Sequence, residues 1–219
     1  MSLGELRPQS GLVWGSHLNG DSTDFSGGNR NGTDTSITYS QANGKFGQGA
    51  GFAAASNSKI VTTVNPNGYL KAITINAWIK GTAVSMEDYA GVIEARSGDN
   101  SNLTGLGVGA SGYGDKTKIE FSVNSQSSGT PTFVITGGWH MVTGIYDGTN
   151  IKLYIDGVLY SQSSYTSNIA TNGNFLIGSD PYDTNNRTFA GAMDEVSIWN
   201  VAKSAAWVRQ QYQLGRMGE

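Results

Sequence analysis

Gly138–Tyr160 reads GWHMVTGIYDGTNIKLYIDGVLY. Trp139–Tyr146 has strand character, Asp147-Gly148 supplies turn chemistry, and Ile151, Leu153 and Ile155 alternate with polar or aromatic neighbours onto one face. Asp156-Gly157 then signals a tight hairpin, and Val158–Tyr160 returns. Two hairpins in succession make a β-meander, so the fold is sought among all-β architectures. Upstream, Ala72–Lys80 (AITINAWIK) places Ile73, Ile75, Ala77 and Ile79 on one face and Thr74, Asn76 and Trp78 on the other. A Trp on the second face implies that this face too is covered. Shorter strands are expected at Gly11–Trp14, Ile37–Tyr39, Gly91–Ala95, Leu103–Ala110, Lys118–Asn124, Thr132–Thr136, Phe175–Gly178 and Met193–Trp199. Ser204–Leu214 carries the one helical pattern, with Ser204 as its cap and Ala205, Val208 and Tyr212 on one face. Met1–Ser10 reads as an arm, and residues 11–219 as a single domain.

Composition agrees. Gly, Ser, Thr and Asn make up 92 of the 219 residues, while charged residues are 14%. Helix-rich proteins lean on Ala, Leu, Glu, Lys and Arg instead. Five Trp, ten Tyr and seven Phe supply a core, so the polarity is that of loops and not of disorder. The net charge of −3 comes with no basic stripe, which argues against nucleic acid as a partner. No run of 18 apolar residues exists, which argues against a membrane span. The absence of Cys removes disulfides, thiolate nucleophiles and Cys-based metal sites. Met1–Gly20 lacks a basic segment followed by an apolar one, so no secretory signal is read there.

Five segments, in order, resemble the LamG-like, concanavalin-type jelly-roll superfamily. They are Leu18-Asn19-Gly20 with Asp24-Phe25-Ser26-Gly27, Gly44-Lys45-Phe46-Gly47, Ile73–Lys80, the Gly138–Gly157 meander, and Ile177-Gly178 with Phe189–Val196 and Trp199-Asn200. The likeness runs from Gly11 to Leu214. It implies an all-β, two-sheet antiparallel jelly-roll sandwich closed by one short C-terminal helix. The fold hosts carbohydrate-binding modules, adhesion domains, enzymes and phage structural proteins, so function has to come from particular residues.

Concanavalin-like glucanases carry a Glu-x-Asp-x-x-Glu strand, and glycoside hydrolysis needs two carboxylates about 5–9.5 Å apart. No such spacing occurs here. The tight acidic pairs are Glu87-Asp88 and Asp194-Glu195, and the second matches the family's structural element. His140 reads as a packing histidine, and no G-x-S-x-G elbow is present. Nothing here reads as catalytic. For a hard cation the opening loop offers Asp21, Asp24, Ser26, Asn29 and Asn31. The resemblance implies a structural Ca²⁺ joining this loop to the late strand, with Asp24, Asn31 and Asp194 as ligands. In the alternative reading, Asp24 and Asp194 accept backbone N–H groups and pin loops to the sandwich. For glycan contact, loop aromatics are needed beside polar readers. Tyr89, Tyr113, Tyr165 and Tyr182 qualify, with Asn100 and Asp115 among polar neighbours. Tyr182-Asp183-Thr184-Asn185-Asn186-Arg187 is the best cluster, with Tyr182, Asp183, Asn185 and Arg187 as contacts.

Three functions follow, in this order. The first is a non-catalytic structural or attachment module on a virion surface, of the phage decoration or fibre type, with neighbouring subunits and glycans as partners and oligomers in prospect. The second is a carbohydrate-binding module of a secreted bacterial protein, placed outside the cell or on its surface. The third is a glucanase-like hydrolase.

Overall fold

In the computed structural model, residues 10–66, 70–82, 86–98, 101–109, 116–130 and 133–217 are described. Residues 1–9 of the expected N-terminal arm, Tyr113, Asn100 and Asp115 lie outside them. Among the described residues, fifteen strands form two antiparallel sheets. In chain order they are β1 (Leu12–Ser16), β2 (Thr33–Thr35), β3 (Thr38–Ser40), β4 (Gly49–Phe52), β5 (Lys59–Val61), β6 (Ile73–Gly81), β7 (Gly91–Ala95) and β8 (Thr104–Val108). There follow β9 (Ile119–Val123), β10 (Gln126–Ser127), β11 (His140–Tyr146), β12 (Asn150–Ile155), β13 (Val158–Ser164), β14 (Leu176–Ile177) and β15 (Gly191–Trp199), then one helix, α1 (Ala205–Met217).

The first sheet runs β13-β12-β11-β6-β15-β4-β3, with β1 also paired to β15. The second runs β10-β9-β8-β7-β14-β5-β2. The crossed order is that of a jelly-roll sandwich, as expected. The meander is built by its turns. Asp156 and Gly157 both take positive φ, 50° and 82°, between the paired Ile155 and Val158. Positive φ at both central positions matches the twist of the flanking strands, which is why Asp-Gly serves there.

Between the sheets lies one apolar cluster. Ile73, Ile75, Ala77 and Ile79 of β6 face Phe121 and Val123 of β9, Leu106 of β8 and Ile93 of β7, with Trp14 and Phe175 fully buried. The other face of β6 is covered as its Trp predicts. Trp78, Met141, Ile145 and Tyr154 make a second cluster under Val208 of α1, flanked by Trp207 and Tyr212. Ser204 Oγ accepts the Trp207 N–H at 3.2 Å and starts the helix. Ala205, expected on the apolar face, is exposed. Thr132–Thr136 is not a strand among its described residues: Val134 and Thr136 make only isolated bridges, to Lys118 and Gly81.

Candidate functional site

The site lies on the outer face of the second sheet, where β7, β8 and β9 run side by side. Alternation sends Ile93, Leu106 and Phe121 inward, so Glu94, Gly105, Gly107 and Glu120 face out. The Glu94 carboxyl lies over Gly107, where a Cβ would meet its Oε1. Glu94 is 4% exposed, and its Oε2 has no hydrogen-bond partner among the described residues. Burial pushes the Glu94 carboxyl well above the ordinary carboxylate value; Asp180 and Glu120 add to the shift, while Arg96 and Arg187 oppose it. Burial also raises Glu120, against a hydrogen bond from Ser127. A cavity of about 30 Å³, room for one water molecule, is lined by Glu94, Arg96, Glu120 and Asp180 together with Tyr89, Leu103, Gly107 and Val108.

Asp180, just after β14 and 1% exposed, organises the loop beside this cavity. Its Oδ1 accepts from Arg96 Nε at 2.6 Å and from the Tyr182 N–H at 2.9 Å. Its Oδ2 accepts from Arg96 Nη2 at 3.0 Å and Arg187 Nη1 at 2.8 Å. One buried carboxylate thus holds two guanidinium groups and the turn between them. The Arg187 guanidinium lies 4.3 Å from the centre of the Tyr182 ring and 4.8 Å from that of Tyr89. Tyr182 is 51% exposed and Tyr89 38%. The result is an exposed ridge of tyrosine, guanidinium and tyrosine, fixed from below.

Of the glycan contacts expected from sequence, Tyr182 and Arg187 come together on the ridge. Asp183 and Asn185 shape the turn beside it: Asp183 Oδ1 accepts the Asn185 N–H at 3.1 Å, and its Oδ2 accepts from Asn186 Nδ2 at 2.9 Å. Tyr165 packs against the core, its hydroxyl accepting from Asn124 at 2.9 Å. Tyr89 joins the ridge from the other side. Glu94, Arg96, Glu120 and Asp180 were missed by sequence reasoning; the one available signal was a lone Glu within the apolar run Val92–Ala95. His140 is structural as expected, with Nδ1 at 2.8 Å from Asp156 Oδ2 and Phe133 edge-on to its ring. Glu87 accepts the Thr188 N–H, and Asp88 pairs with Lys116.

The residues read as calcium ligands serve otherwise. Asp24 Oδ1 accepts the N–H groups of Ser26 at 2.8 Å and Gly15 at 3.2 Å; Oδ2 accepts the Arg30 N–H at 3.0 Å and the Ser26 hydroxyl at 2.8 Å. Against the burial that would raise it, these donors hold the Asp24 carboxyl below its usual value. Asn31 Oδ1 accepts the Asp24 N–H at 2.9 Å. Asp194 sits where β15 bulges, next to Glu195 at φ 52°. Its Oδ2 accepts the Lys45 and Phe46 N–H groups, both at 2.8 Å, and Oδ1 the Glu195 N–H at 2.8 Å. The opening segment does meet this strand, but through His17, whose Nδ1 lies 2.8 Å from Glu195 Oε1. Positive ends of N–H and O–H dipoles point at every one of these carboxylate oxygens, so as arranged they do not fit a cation; among the described residues no three acidic or His side chains gather for one. The expected result is a melting temperature unchanged between calcium and EDTA; a chelator-sensitive melt would show that the loops rearrange around an ion.

A second expectation concerns pH. The native state holds the Glu94 proton to higher pH than the unfolded chain does, so its contribution to stability is present at acid pH and is lost as pH rises from about 4.5 through the native value. Gln keeps the shape and removes the titration. Melting of Glu94→Gln should therefore gain on that of the unmodified protein between pH 5 and pH 8, with Arg96, Arg187, Asp180 and Glu120 unchanged around it. Identical pH slopes would contradict the burial argument.

A family model for the concanavalin A-like lectin/glucanases superfamily matches residues 50–209, most of the chain. The chain belongs to this superfamily. No curated protein sequence matches it. Among solved structures, it is similar to domain 4 of the GH43 extracellular arabinanase of Geobacillus stearothermophilus, solved in complex with arabinotriose. There the TM-score is 0.74 and the identity 21%, over 93% of this chain and 99% of that one. It is also similar to the binding domain of Paraclostridial mosquitocidal protein 1 (TM-score 0.70, 15% identity, 94% of this chain, 52% of that one). A third likeness is to the receptor-binding domain of botulinum neurotoxin type G (0.66, 17%, 94% and 51%). The chain spans about half the length of these two toxin binding domains. At these identities the likeness carries the fold, and this member of the superfamily combines that fold with a tyrosine–guanidinium ridge over a buried carboxyl.

Proposed function

We propose that this protein is a non-catalytic attachment module that binds glycans at the Tyr89–Arg187–Tyr182 ridge. The observation that carries the reading is the Arg187 guanidinium held between two exposed tyrosine rings and anchored on buried Asp180. Exposed rings give apolar sugar faces a flat surface, and a fixed guanidinium donates to hydroxyls without losing much side-chain entropy on binding. Among solved structures of the same fold, two are described as binding domains and one, a domain of an arabinanase, holds arabinotriose; these support this choice over catalysis. The carboxyls of Glu94 and Glu120 share one face, which the spacing of acids in the sequence did not suggest. Glu94, however, sits beneath the surface with its charge suppressed, in a cavity too small for a sugar ring. A panel of β-glucans incubated with the protein is expected to stay intact.

The test is binding of a glycan panel by the unmodified protein and by Tyr182→Ala and Arg187→Ala. Each variant is expected to lose at least about tenfold in affinity, the loss typical of a central contact residue, while its melting temperature stays within a few degrees for Tyr182→Ala. Unchanged binding by both variants would move the site elsewhere.

The virion-surface form of the proposal, with neighbouring subunits as partners, has one observation in its favour. Strand β13 is a sheet edge of seven residues with no charged side chain, and Val158, Leu159 and Tyr160 are exposed along it. Edges β2, β3 and β10 are only two or three residues long. Long uncharged edges invite a further strand. A monomeric mass by light scattering, with no attachment to particles, would leave the secreted or cell-surface module as the setting.

A further inference from the structure

We infer that the Glu94 cavity receives the exocyclic hydroxymethyl group of a neutral sugar whose ring lies against Tyr89. This rests on the glycan reading above and names the ligand class for the same site. Three features of the cavity point to such a group. Its volume, about 30 Å³, matches one hydroxyl-bearing carbon or one water molecule, not a ring. Its walls are of two kinds: Leu103 offers apolar contact for a methylene, while Glu94 and Glu120 offer hydrogen bonding for a hydroxyl. And Glu94 Oε2, buried and without a partner among the described residues, is a polar atom in want of a small hydrogen-bonding group. A hydroxyl that makes the hydrogen bonds a water would make there replaces water at little cost.

The surroundings fix the charge of the ligand. Glu120 and Asp180 line the cavity beside Glu94, and Arg96 is already engaged by Asp180 through Nε and Nη2. A uronate carboxylate entering here meets acidic oxygens, whereas a neutral hydroxyl both donates and accepts. Tyr89 belongs to the cavity wall and to the exposed ridge at once, so an arm in the cavity brings its ring onto the ridge.

The experiment is a titration of the full chain with three matched glycosides of each sugar bound in the panel: the parent hexoside, its 6-deoxy counterpart and its uronic acid counterpart, plus the corresponding pentopyranoside. The parent is expected to bind at least about tenfold tighter than the other three, the value of a hydroxyl contacting a buried polar group. In Glu94→Gln, affinity for the parent is expected to change while affinity for the 6-deoxy sugar does not. Equal binding of parent and 6-deoxy sugar overturns the inference and leaves the glycan reading standing. Absence of binding to every sugar overturns the reading on which it rests.

Discussion

Asp180→Ala is expected to destabilise the protein by about 3 kcal/mol, the lower part of the range for breaking a buried ion pair, and to lower its melting temperature by roughly 6–12 °C. The reason is specific to the arrangement. Asp180 is 1% exposed and accepts four hydrogen bonds, three of them from the guanidinium groups of Arg96 and Arg187. Alanine leaves the Arg96 and Arg187 cations without the carboxylate they share, and it frees the Tyr182 N–H that closes the turn. The ridge should go with it: Arg187 loses its anchor, and glycan affinity falls together with stability. Asp180→Asn keeps the shape but not the charge and is expected to fall in between. A melting temperature within about 2 °C of the parent for Asp180→Ala would place the pairing in the class of weak surface bridges.

Trp78→Ala is expected to cost about 4 kcal/mol, as large-to-small changes of buried aromatics do. Trp78, 5% exposed, joins three parts of the chain on the outer face of the first sheet. Phe46 meets its ring edge-on with centroids 6.0 Å apart, Tyr212 of α1 stacks on it at 5.8 Å, and Lys45 Nζ lies 4.9 Å from the ring. The 44–47 turn is tied down beside it by Asp194, so truncating Trp78 removes the packing that both α1 and this turn share. Hydrogen exchange should show the amides of α1 losing protection before those of β6. Protection of α1 unchanged, with a loss under about 1 kcal/mol, would show that Val208 and Trp207 hold the helix without Trp78.

The elements legible in the sequence are those whose reasons are local. Asp156-Gly157 carries its own turn chemistry, the alternation of Ile73–Ile79 declares an inner face, and Trp78 declares a covered outer one. Ser204 marks the start of α1. Strands β2 and β5, of three residues each, show no such signal because their pairing with each other and with β14 sustains them, not their composition. Half of the site was legible for the same reason: Tyr182 and Arg187 are five residues apart in one loop. The other half was not. Glu94, Glu120 and Asp180 are brought together by the order β9-β8-β7-β14, a pairing that no local spacing encodes. Asp183 and Asn185 have a local role that the residue types also announce, since those that read sugars are also those that close turns.

The most direct test of the account is calorimetric titration of the unmodified protein and Tyr182→Ala with the tightest sugar found on a glycan panel. The ridge predicts saturable binding by the parent and a loss of at least about tenfold in the variant, with melting temperatures within a few degrees of each other. Failure of every glycan to bind, or binding by Tyr182→Ala as tight as by the parent, would contradict it.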